Sequence, residues 1–211
     1  MKKMCFAIMA VAVFLLSPPG VWCNEVKPVS DYARMVDQLK SGNLKIDYAA
    51  LRYAYAASSS YNPYAMHQEK REAMMKAMES KDYATVAKQA SMLLDSNYTD
   101  MEAHFFSHLA GKYLGDNQKQ LFHSTVLKGL IGSLYASGDG LKPETAYKVI
   151  STDEEYFMLR INGYRVIRQK LELVNGIHYD AMEVENMKNR ELSTIYYNVE
   201  IPFSWLARKL K

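Results

Sequence analysis

The spacing of apolar residues changes part-way along this chain, and that change limits the folds it can adopt. From Pro28 to about Tyr135 apolar side chains recur with helical spacing, interrupted by clusters of turn-forming residues. Residues 193–201 instead alternate, with Ile195 and Tyr197 on one face and polar side chains on the other, as in a sheet that is wet on one side. Helices first and strands last predict an α+β fold rather than an alternating parallel one.

The first half of the chain is expected to form a stack of helices. Ser30 and Asp47 are plausible N-caps of two helices, and others are expected at 69–78, 83–94, 101–114 and 119–136. Residues 81–116 resemble one helix–turn–helix unit of the tetratricopeptide type, although Tyr98 and His108 stand where the repeat favours proline and glycine. Such units need about three copies to bury their faces. We therefore interpret the segment as a helical hairpin.

The last part of the chain is expected to form a small antiparallel sheet followed by a short C-terminal helix. Strands are expected at 147–150, 165–174, 177–185 and 193–201. Asn175-Gly176 is a strong signal for a hairpin turn between the second and third of them. Thr152 and Glu155 have the spacing of a capping box, which predicts a short helix. Pro202 is expected to end the last strand.

A secretory signal peptide is the expected start of the chain. Lys2 and Lys3 precede an apolar run over residues 4–16, and a Ser-Pro-Pro-Gly break follows. Cleavage after Cys23 would divide the chain into a signal peptide (1–23), a helical region (24–142) and a small antiparallel β region (143–211) packed on the helices as one mature domain. We therefore expect an exported protein, periplasmic or secreted. A lipoprotein acylated at Cys23 is less favoured, because the bulky Trp22 precedes that cysteine.

Composition argues against several classes of protein. Cys5 and Cys23 are the only cysteines, so the processed chain would form no disulfide. A formal net charge of +3 is far below that of a dedicated phosphate-binding surface, which argues against nucleic acid as a partner. No second apolar run reaches the roughly 20 residues of a membrane span, so no transmembrane segment is expected after processing. The sequence contains no cofactor-binding motif, and no cofactor is expected.

Several short motifs follow one another in a characteristic order. They are Leu51-Arg52 with Tyr55, Tyr61-Asn62-Pro63-Tyr64, His123, Ser137-Gly138-Asp139-Gly140, Thr145-Ala146-Tyr147-Lys148-Val149-Ile150 and Glu154-Glu155-Tyr156. In this order they resemble an uncharacterised bacterial group, the domain of unknown function forty-nine nineteen, over most of the expected mature chain. The resemblance implies an exported bacterial protein of helical plus β construction, and it implies no activity.

His123 is the strongest candidate for a catalytic residue. It shares a helical stripe with Leu127, so we expect it to be largely buried and to need a partner for each ring nitrogen. Asp139, Glu154 or Glu155 could supply that partner, which makes His123 with Asp139 or Glu155 the candidate catalytic set. The structural alternative is a satisfied core histidine, with Asp139 in a helix-ending turn and Glu155 in a capping box.

Two further groups of residues are candidates for binding. Arg52, Tyr55, Tyr61 and Tyr64 form an aromatic and basic set around the loop 58–64 that suits peptide or glycan recognition, or else packs the loop against the helices.

His104 and His108 are four residues apart and share one face of a helix, as metal-binding pairs do. That face is not the apolar stripe, so we expect it to be solvated. A metal site there lacks a third ligand.

Three functions remain open from the sequence. The leading hypothesis is a non-catalytic cell-envelope protein that binds a protein or peptide partner through the helical hairpin or the tyrosine-rich loop. The second is an exported hydrolase or metal-dependent enzyme built on His123 with Asp139 or Glu155. The third is a structural protein without a dedicated ligand, whose sheet only braces the helices.

Overall fold

The computed structural model of the protein describes residues 30–65 and 67–210, so the expected signal peptide lies outside the described residues. The helices are α1 (Asp31–Lys40), α2 (Tyr48–Ala56), α3 (Gln68–Glu79), α4 (Tyr83–Ser96), α5 (Met101–Leu114), α6 (Asn117–Tyr135), α7 (Thr152–Ile161) and α8 (Glu200–Lys209), and the strands are β1 (Tyr147–Lys148), β2 (Tyr164–Val174), β3 (Ile177–Asn186) and β4 (Leu192–Asn198). The α+β class expected from the sequence is confirmed.

The helix boundaries follow from capping residues in the sequence. Six helices begin after a serine or aspartate whose side chain accepts a hydrogen bond from the backbone N–H three residues later. These caps are Ser30, Asp47, Asp82, Asp100, Asp116 and Ser151. Each cap satisfies a backbone donor that the helix itself leaves without a partner. At the other end of α5, Gly115 takes the left-handed conformation with φ 75° and ends the helix.

The sheet has the strand order β1-β4-β3-β2, and it is mixed rather than wholly antiparallel. Its three long strands pair antiparallel, as expected, and Asn175 and Gly176 form the predicted turn with positive φ angles of 52° and 80°. Only Tyr147 and Lys148 add a short parallel strand against β4. The expectation of a purely antiparallel sheet is wrong at this edge, because β1 reaches β4 through a crossover.

The last strand is shorter than the alternating pattern predicts. It ends at Asn198, and Val199 and Ile201 belong to the start of α8 rather than to the strand. Pro202 lies in the first turn of this helix, where proline is tolerated because its missing N–H has no partner to lose. Pro202 therefore lies inside the first turn of a helix and does not end a strand.

One hydrophobic core joins the helical and β parts of the chain. It contains side chains from the helices, such as Leu51, Val86 and Leu130, together with Met182 and Tyr197 from the sheet. Tyr197 and its neighbours on the inner face of β4 pack on the helices, as the alternation predicts. Within the part of the chain that the structure describes, no helix is both long and apolar enough to cross a membrane.

Candidate functional site

A cleft of about 480 Å³ opens between α4, α5 and α6. Its walls are apolar or aromatic at Ala87, Leu94, Tyr98 and Phe122. Polar and charged side chains complete the lining, namely Lys40, Ser91, Asp95, Ser107, Asp116, Lys119 and His123. The volume lies within the range of about 300–1,000 Å³ that is usual for ligand clefts, and the mixture of apolar walls with a few polar groups is also typical of them.

A glycine sets the close approach of the two helices behind the cleft. A Cβ atom added to Gly111 of α5 would lie 2.8 Å from the backbone nitrogen of Gln120 in α6. Any larger residue would therefore push α5 and α6 apart. One turn away, the ring of His108 hydrogen-bonds through Nδ1 to the carbonyl of Gln120 at 3.1 Å, which holds the same two helices together.

The ring of His104 is fully buried behind the cleft and both of its nitrogens are engaged. Its Nε2 lies 3.0 Å from the carbonyl oxygen of Tyr98, and its Nδ1 lies 3.0 Å from Nδ1 of His123. A carbonyl can only accept, so Nε2 of His104 carries the hydrogen and the Nδ1 of this neutral ring is an acceptor. Burial lowers the pKa of His104 to about 4, which keeps the ring neutral at physiological pH.

His123 is the last member of a chain of two hydrogen bonds that runs from the carbonyl of Tyr98 through His104 to the cleft. Because Nδ1 of His104 accepts, Nδ1 of His123 must donate, and the hydrogen-free nitrogen of His123 is Nε2. Nε2 has no hydrogen-bond partner among the described residues, and it is not buried, so solvent reaches it. The structure thus places a hydrogen-bond acceptor, Nε2 of His123, on the wall of the cleft, and the hydrogen bond to His104 fixes the tautomer of its ring.

The electrostatic surroundings of His123 keep it uncharged. Burial lowers the pKa of His123 to about 3, and the neighbouring His104 and Lys119 act in the same direction. A general base works best when its pKa is near the operating pH. A ring with so low a pKa is a weak base near neutrality, so the arrangement suits binding through a lone pair better than proton transfer.

Charges of both signs stand around the opening of the cleft. Lys119 pairs with Asp116 at 3.2 Å, and the same aspartate caps α6. The ammonium of Lys40 lies 5.3 Å from the centre of the Tyr98 ring, a cation–π distance. Asp95 is exposed and lines the cleft from α4. A ligand that enters here meets donors and acceptors together.

The structure corrects the expected role of His104 and His108. The pair does not lie on a solvated face, since His104 is completely buried and His108 is half-buried. Both nitrogens of His104 are used by Tyr98 and His123, which leaves no lone pair for a metal ion. Within residues 30–65 and 67–210, no group of three or more metal-ligating side chains is placed to hold a metal.

The expected pairing of His123 with a carboxylate is wrong. The ring hydrogen-bonds to His104 and to neither Asp139 nor Glu155, and it is only half-buried. Asp139 instead accepts hydrogen bonds from Thr145 and from the backbone of Leu141. The structure therefore does not bring together the candidate catalytic set.

The Gly138–Gly140 turn has a different purpose from the one expected. Helix α6 ends three residues before Gly138, with Ala136 as its C-cap in a right-handed conformation. The turn folds back, and the N–H groups of Asp139 and Gly140 both donate to the carbonyl of Thr145. Gly140 in turn accepts from the backbone of Tyr196 in β4. The turn fastens α6 to the sheet.

The N-cap of α7 lies one residue earlier than the capping box expected from the sequence. Ser151, not Thr152, is the N-cap, and its side chain accepts from the N–H of Glu154. Glu154 then accepts from the backbone N–H of Ile150 at 2.9 Å. This shift turns Glu155 into the interior, where it is completely buried and packs beside Asp180 instead of capping the helix.

Glu155 and Asp180 form a buried acid pair. Burial raises the pKa of Glu155 well above its usual range, and the negative charge of Asp180 adds to the effect. Burial also raises the pKa of Asp180, whose carboxylate accepts from Gln169 at 2.6 Å. No hydrogen-bond donor among the described residues reaches either oxygen of Glu155, so nothing in that part of the chain compensates a negative charge on this carboxyl.

The predicted binding set around the loop 58–64 is mostly structural. Tyr55 and Tyr61 are buried, and the hydroxyl of Tyr61 donates to the carbonyl of Ile150. Their rings meet edge to face at 5.5 Å, which packs the loop on the helices. Of the four residues, only Tyr64 has a substantially exposed side chain.

Arg52 is the fourth member of that set, and it is buried in an ion pair. Its guanidinium holds Glu154 through two hydrogen bonds of 2.8 and 2.7 Å, and it donates a third, of 2.8 Å, to the carbonyl of Lys148. The pair joins α2 to α7 and to β1, so it ties the helical part of the chain to the sheet. Arg52 is therefore inaccessible to a ligand.

Most of the cleft residues escaped the sequence analysis. Lys40, Asp95 and Lys119 look like ordinary surface charges, and only folding places them around one opening. A usable signal did exist for the histidines. Helices α5 and α6 form a hairpin about Gly115, and residues at similar distances on either side of such a turn face each other. His104 and His123 are 11 and 8 residues from it.

Comparisons with known proteins define the family of the chain. No curated protein and no solved structure was found to match it. A family model described as Domain of unknown function (DUF4919) matches residues 32–206, which include every helix and strand described above except the outermost residues of α1 and α8. The chain therefore belongs to the family Domain of unknown function (DUF4919).

Proposed function

We propose that this protein is an exported, non-catalytic binding protein of the cell envelope that holds a segment of a protein or peptide partner in the cleft between α4, α5 and α6. The observation that carries the proposal is the free Nε2 acceptor of His123 on the wall of that cleft. This hydrogen-free nitrogen, whose tautomer is fixed by the hydrogen bond to the buried His104, has no hydrogen-bond partner among the residues that the structure describes. It is available to a donor on a ligand.

A peptide segment matches the chemistry of the cleft. Its backbone N–H groups would donate to Nε2 of His123 or to Asp95, and its carbonyl groups would accept from Lys40 or Lys119. An apolar side chain would pack on the walls formed by Phe122 and its neighbours. The sequence likeness of residues 81–116 to a tetratricopeptide unit supports the same use of the α4–α5 hairpin.

The proposal of binding without catalysis rests on the state of His123. Its low pKa of about 3 makes the ring a poor proton acceptor near neutrality, and no carboxylate among the described residues orients it. The second nitrogen of the ring is held by another neutral histidine. The hydrolase hypothesis from the sequence has therefore lost the geometry on which it depended.

Export is supported by the sequence pattern of residues 1–23 alone. Two lysines, an apolar run and a proline-containing break follow in the order of a signal peptide. The absence of cysteine after Cys23 suits a mature protein that needs no oxidative folding. Its hydrophobic core supplies the stability.

Peptide display tests the proposed function. A random-peptide library would be panned on the wild-type protein, on Ser91→Trp and on Met92→Trp. Ser91 is exposed and lines the cleft, so tryptophan there fills the cleft without disturbing the core. Met92 is the next residue of α4, is exposed and lies outside the cleft, so it is the matched control.

The expected result is a common peptide motif that binds the wild type and Met92→Trp equally and binds Ser91→Trp at least roughly tenfold more weakly, the loss of about 1.4 kcal/mol. Thermal unfolding of all three proteins verifies that they fold. Two results would overturn the proposal: no motif is enriched on the wild type, or the enriched peptides bind Ser91→Trp as well as they bind the control.

A further inference from the structure

A second cleft, of about 330 Å³, lies between the end of α6, α7 and the inner edge of the sheet. Four tyrosines line it, namely Tyr135, Tyr147, Tyr164 and Tyr197. The centre of the Tyr147 ring lies 5.9 Å from that of Tyr135 at an angle of 71°, and 5.8 Å from that of Tyr197 at 40°. The rings thus form walls that are inclined to one another. We call this site the tyrosine cleft, and none of these four residues lines the cleft between α4, α5 and α6.

Three phenol hydroxyls in this cleft lack a partner within the described part of the protein. The hydroxyl of Tyr135 donates to Asn162 at 2.9 Å, whereas those of Tyr147, Tyr164 and Tyr197 make no hydrogen bond there. All three hydroxyl oxygens are at least partly accessible to solvent, because none of them is among the fully buried polar atoms that lack a hydrogen-bond partner. Each hydroxyl therefore keeps one donor and its acceptor capacity for something that enters the cleft.

Tyr197 is the most informative of the three. Only 1% of its surface is exposed, yet it lines the cleft and its hydroxyl has no hydrogen-bond partner in the part of the chain that the structure describes. A buried tyrosine normally finds a partner for its O–H group. Burial raises the pKa of Tyr197 above the ordinary range of tyrosine, so the phenol remains a donor at any physiological pH. The phenol of Tyr197 is therefore a donor available to a ligand in the cleft.

The backbone around the cleft is shaped to admit these rings. Gly140 has a positive φ of 71°, and a Cβ atom there would lie 2.5 Å from the ring of Tyr147. A side chain at this position would therefore displace the ring. The adjacent Asp139 keeps its carboxylate ionised, because hydrogen bonds from Thr145 and Leu141 lower its pKa. The sequence signal of the Gly-Asp-Gly turn thus has a place in this cleft.

The charges of the lining restrict the ligand. Asp139 and Glu191 line the cleft, and no lysine or arginine of the described residues does, so an anion would find no counter-charge among them. A cation would use the carboxylates but would leave the phenol donors without acceptors. A neutral polyol has hydroxyls that donate to carboxylates and both donate to and accept from phenols. Its C–H surface can also pack against the faces of the tyrosine rings.

We propose that the tyrosine cleft is a binding site for a neutral saccharide, with room for one sugar ring such as the end unit of a glycan. The unpaired hydroxyls of Tyr147, Tyr164 and Tyr197 bind the sugar hydroxyls, and Asp139 accepts from a further one. The tyrosine cleft is separate from the cleft between α4, α5 and α6, and its test is independent of the function proposed for that cleft.

Saturation-transfer difference NMR tests the site with a defined panel. The neutral probes are the methyl glycosides of glucose, galactose, mannose and N-acetylglucosamine, and the charged probes are choline and inorganic phosphate. The variants are Tyr147→Phe/Tyr164→Phe, which removes two hydroxyls and keeps the rings, and Ser193→Trp, which fills the cleft from an exposed lining position. Tyr113→Phe, at an exposed tyrosine outside the cleft, is the control.

At least one neutral glycoside should bind the wild type and Tyr113→Phe equally. Its affinity should fall roughly tenfold in Tyr147→Phe/Tyr164→Phe, as expected for two lost hydrogen bonds, and binding should vanish in Ser193→Trp. Binding of choline or phosphate alone would overturn the proposal, as would a glycoside that binds both variants unchanged or the failure of every glycoside to bind. Unfolding curves confirm that each variant is folded.

Discussion

Replacing Arg52 by methionine should destabilise the protein strongly, because it leaves Glu154 buried without its counter-charge. The guanidinium has no exposed surface, and Glu154 is only 4% exposed. The substitution removes two charged hydrogen bonds to Glu154 and the one to the carbonyl of Lys148. Among the described residues, only the N–H of Ile150 then donates to the carboxylate. Breaking a buried pair from one side costs about 3–5 kcal/mol.

Urea denaturation measures this loss directly. In thermal unfolding, the same loss of about 3–5 kcal/mol corresponds, for a protein of this size, to a fall of roughly 6–20 °C in the melting temperature. Arg34→Met is the matched control, since it breaks an Arg–Asp pair whose side chains are 62% and 79% exposed. That substitution should cost less than about 1 kcal/mol.

A second variant separates the ion pair from simple packing. Arg52→Met/Glu154→Met leaves no unpaired charge, and apolar replacements of buried ion pairs are often neutral or stabilising. The double variant should therefore recover most of the stability that Arg52→Met loses. If Arg52→Met costs no more than the surface control, or if the double variant is as unstable as the single one, the reasoning about this pair is wrong.

Three further results are expected. Burial raises the pKa of Glu155 above 4.5, its value in the unfolded chain. The wild type should therefore lose stability relative to Glu155→Gln as the pH rises from about 4.5 towards neutrality. The same pH dependence of the free energy of unfolding in both proteins would refute this. Burial lowers the pKa of His104 to about 4, so protonation favours the unfolded chain, and between pH 7 and pH 5 the wild type should lose about 2 kcal/mol more than His104→Gln does. An equal pH dependence of the two proteins would contradict the buried neutral ring. Cells that produce the full chain should release from outside the cytoplasm a protein whose mass lacks residues 1–23, whereas an intact cytoplasmic product would contradict export.

Local signals in the sequence predict much of this fold. Ser30 and Asp47 cap helices where expected, and Asn175-Gly176 makes the expected hairpin turn. These features depend on hydrogen bonds between residues two to four positions apart, so they can be read without the rest of the protein. Errors of one residue arise where two good candidates are adjacent. Ser151 and Thr152 are both acceptable N-caps, and with Ser151 in that role Glu154 bonds to Arg52 and to the N–H of Ile150, while Glu155 is buried beside Asp180.

The candidate sites were harder to predict because their contacts are distant in the sequence. The hydroxyl of Tyr61 donates to Ile150, 89 residues away, and this contact turns an apparent recognition loop into a packed one. Arg52 meets Glu154 across 102 residues. No periodicity reports such a contact. A tyrosine or arginine in a loop has the same local pattern whether it packs inwards or faces a ligand.

The tautomers and contacts of the two histidines test the central claim most directly. Long-range ¹H–¹⁵N spectra of the histidine side chains at pH 7 should show two neutral rings, with the hydrogen on Nε2 of His104 and on Nδ1 of His123. Addition of a display-selected peptide should shift Nε2 of His123 and leave His108 unchanged. A His123 ring that is protonated at pH 7, that carries its hydrogen on Nε2, or that does not respond to the peptide would contradict the account of the cleft as a binding site.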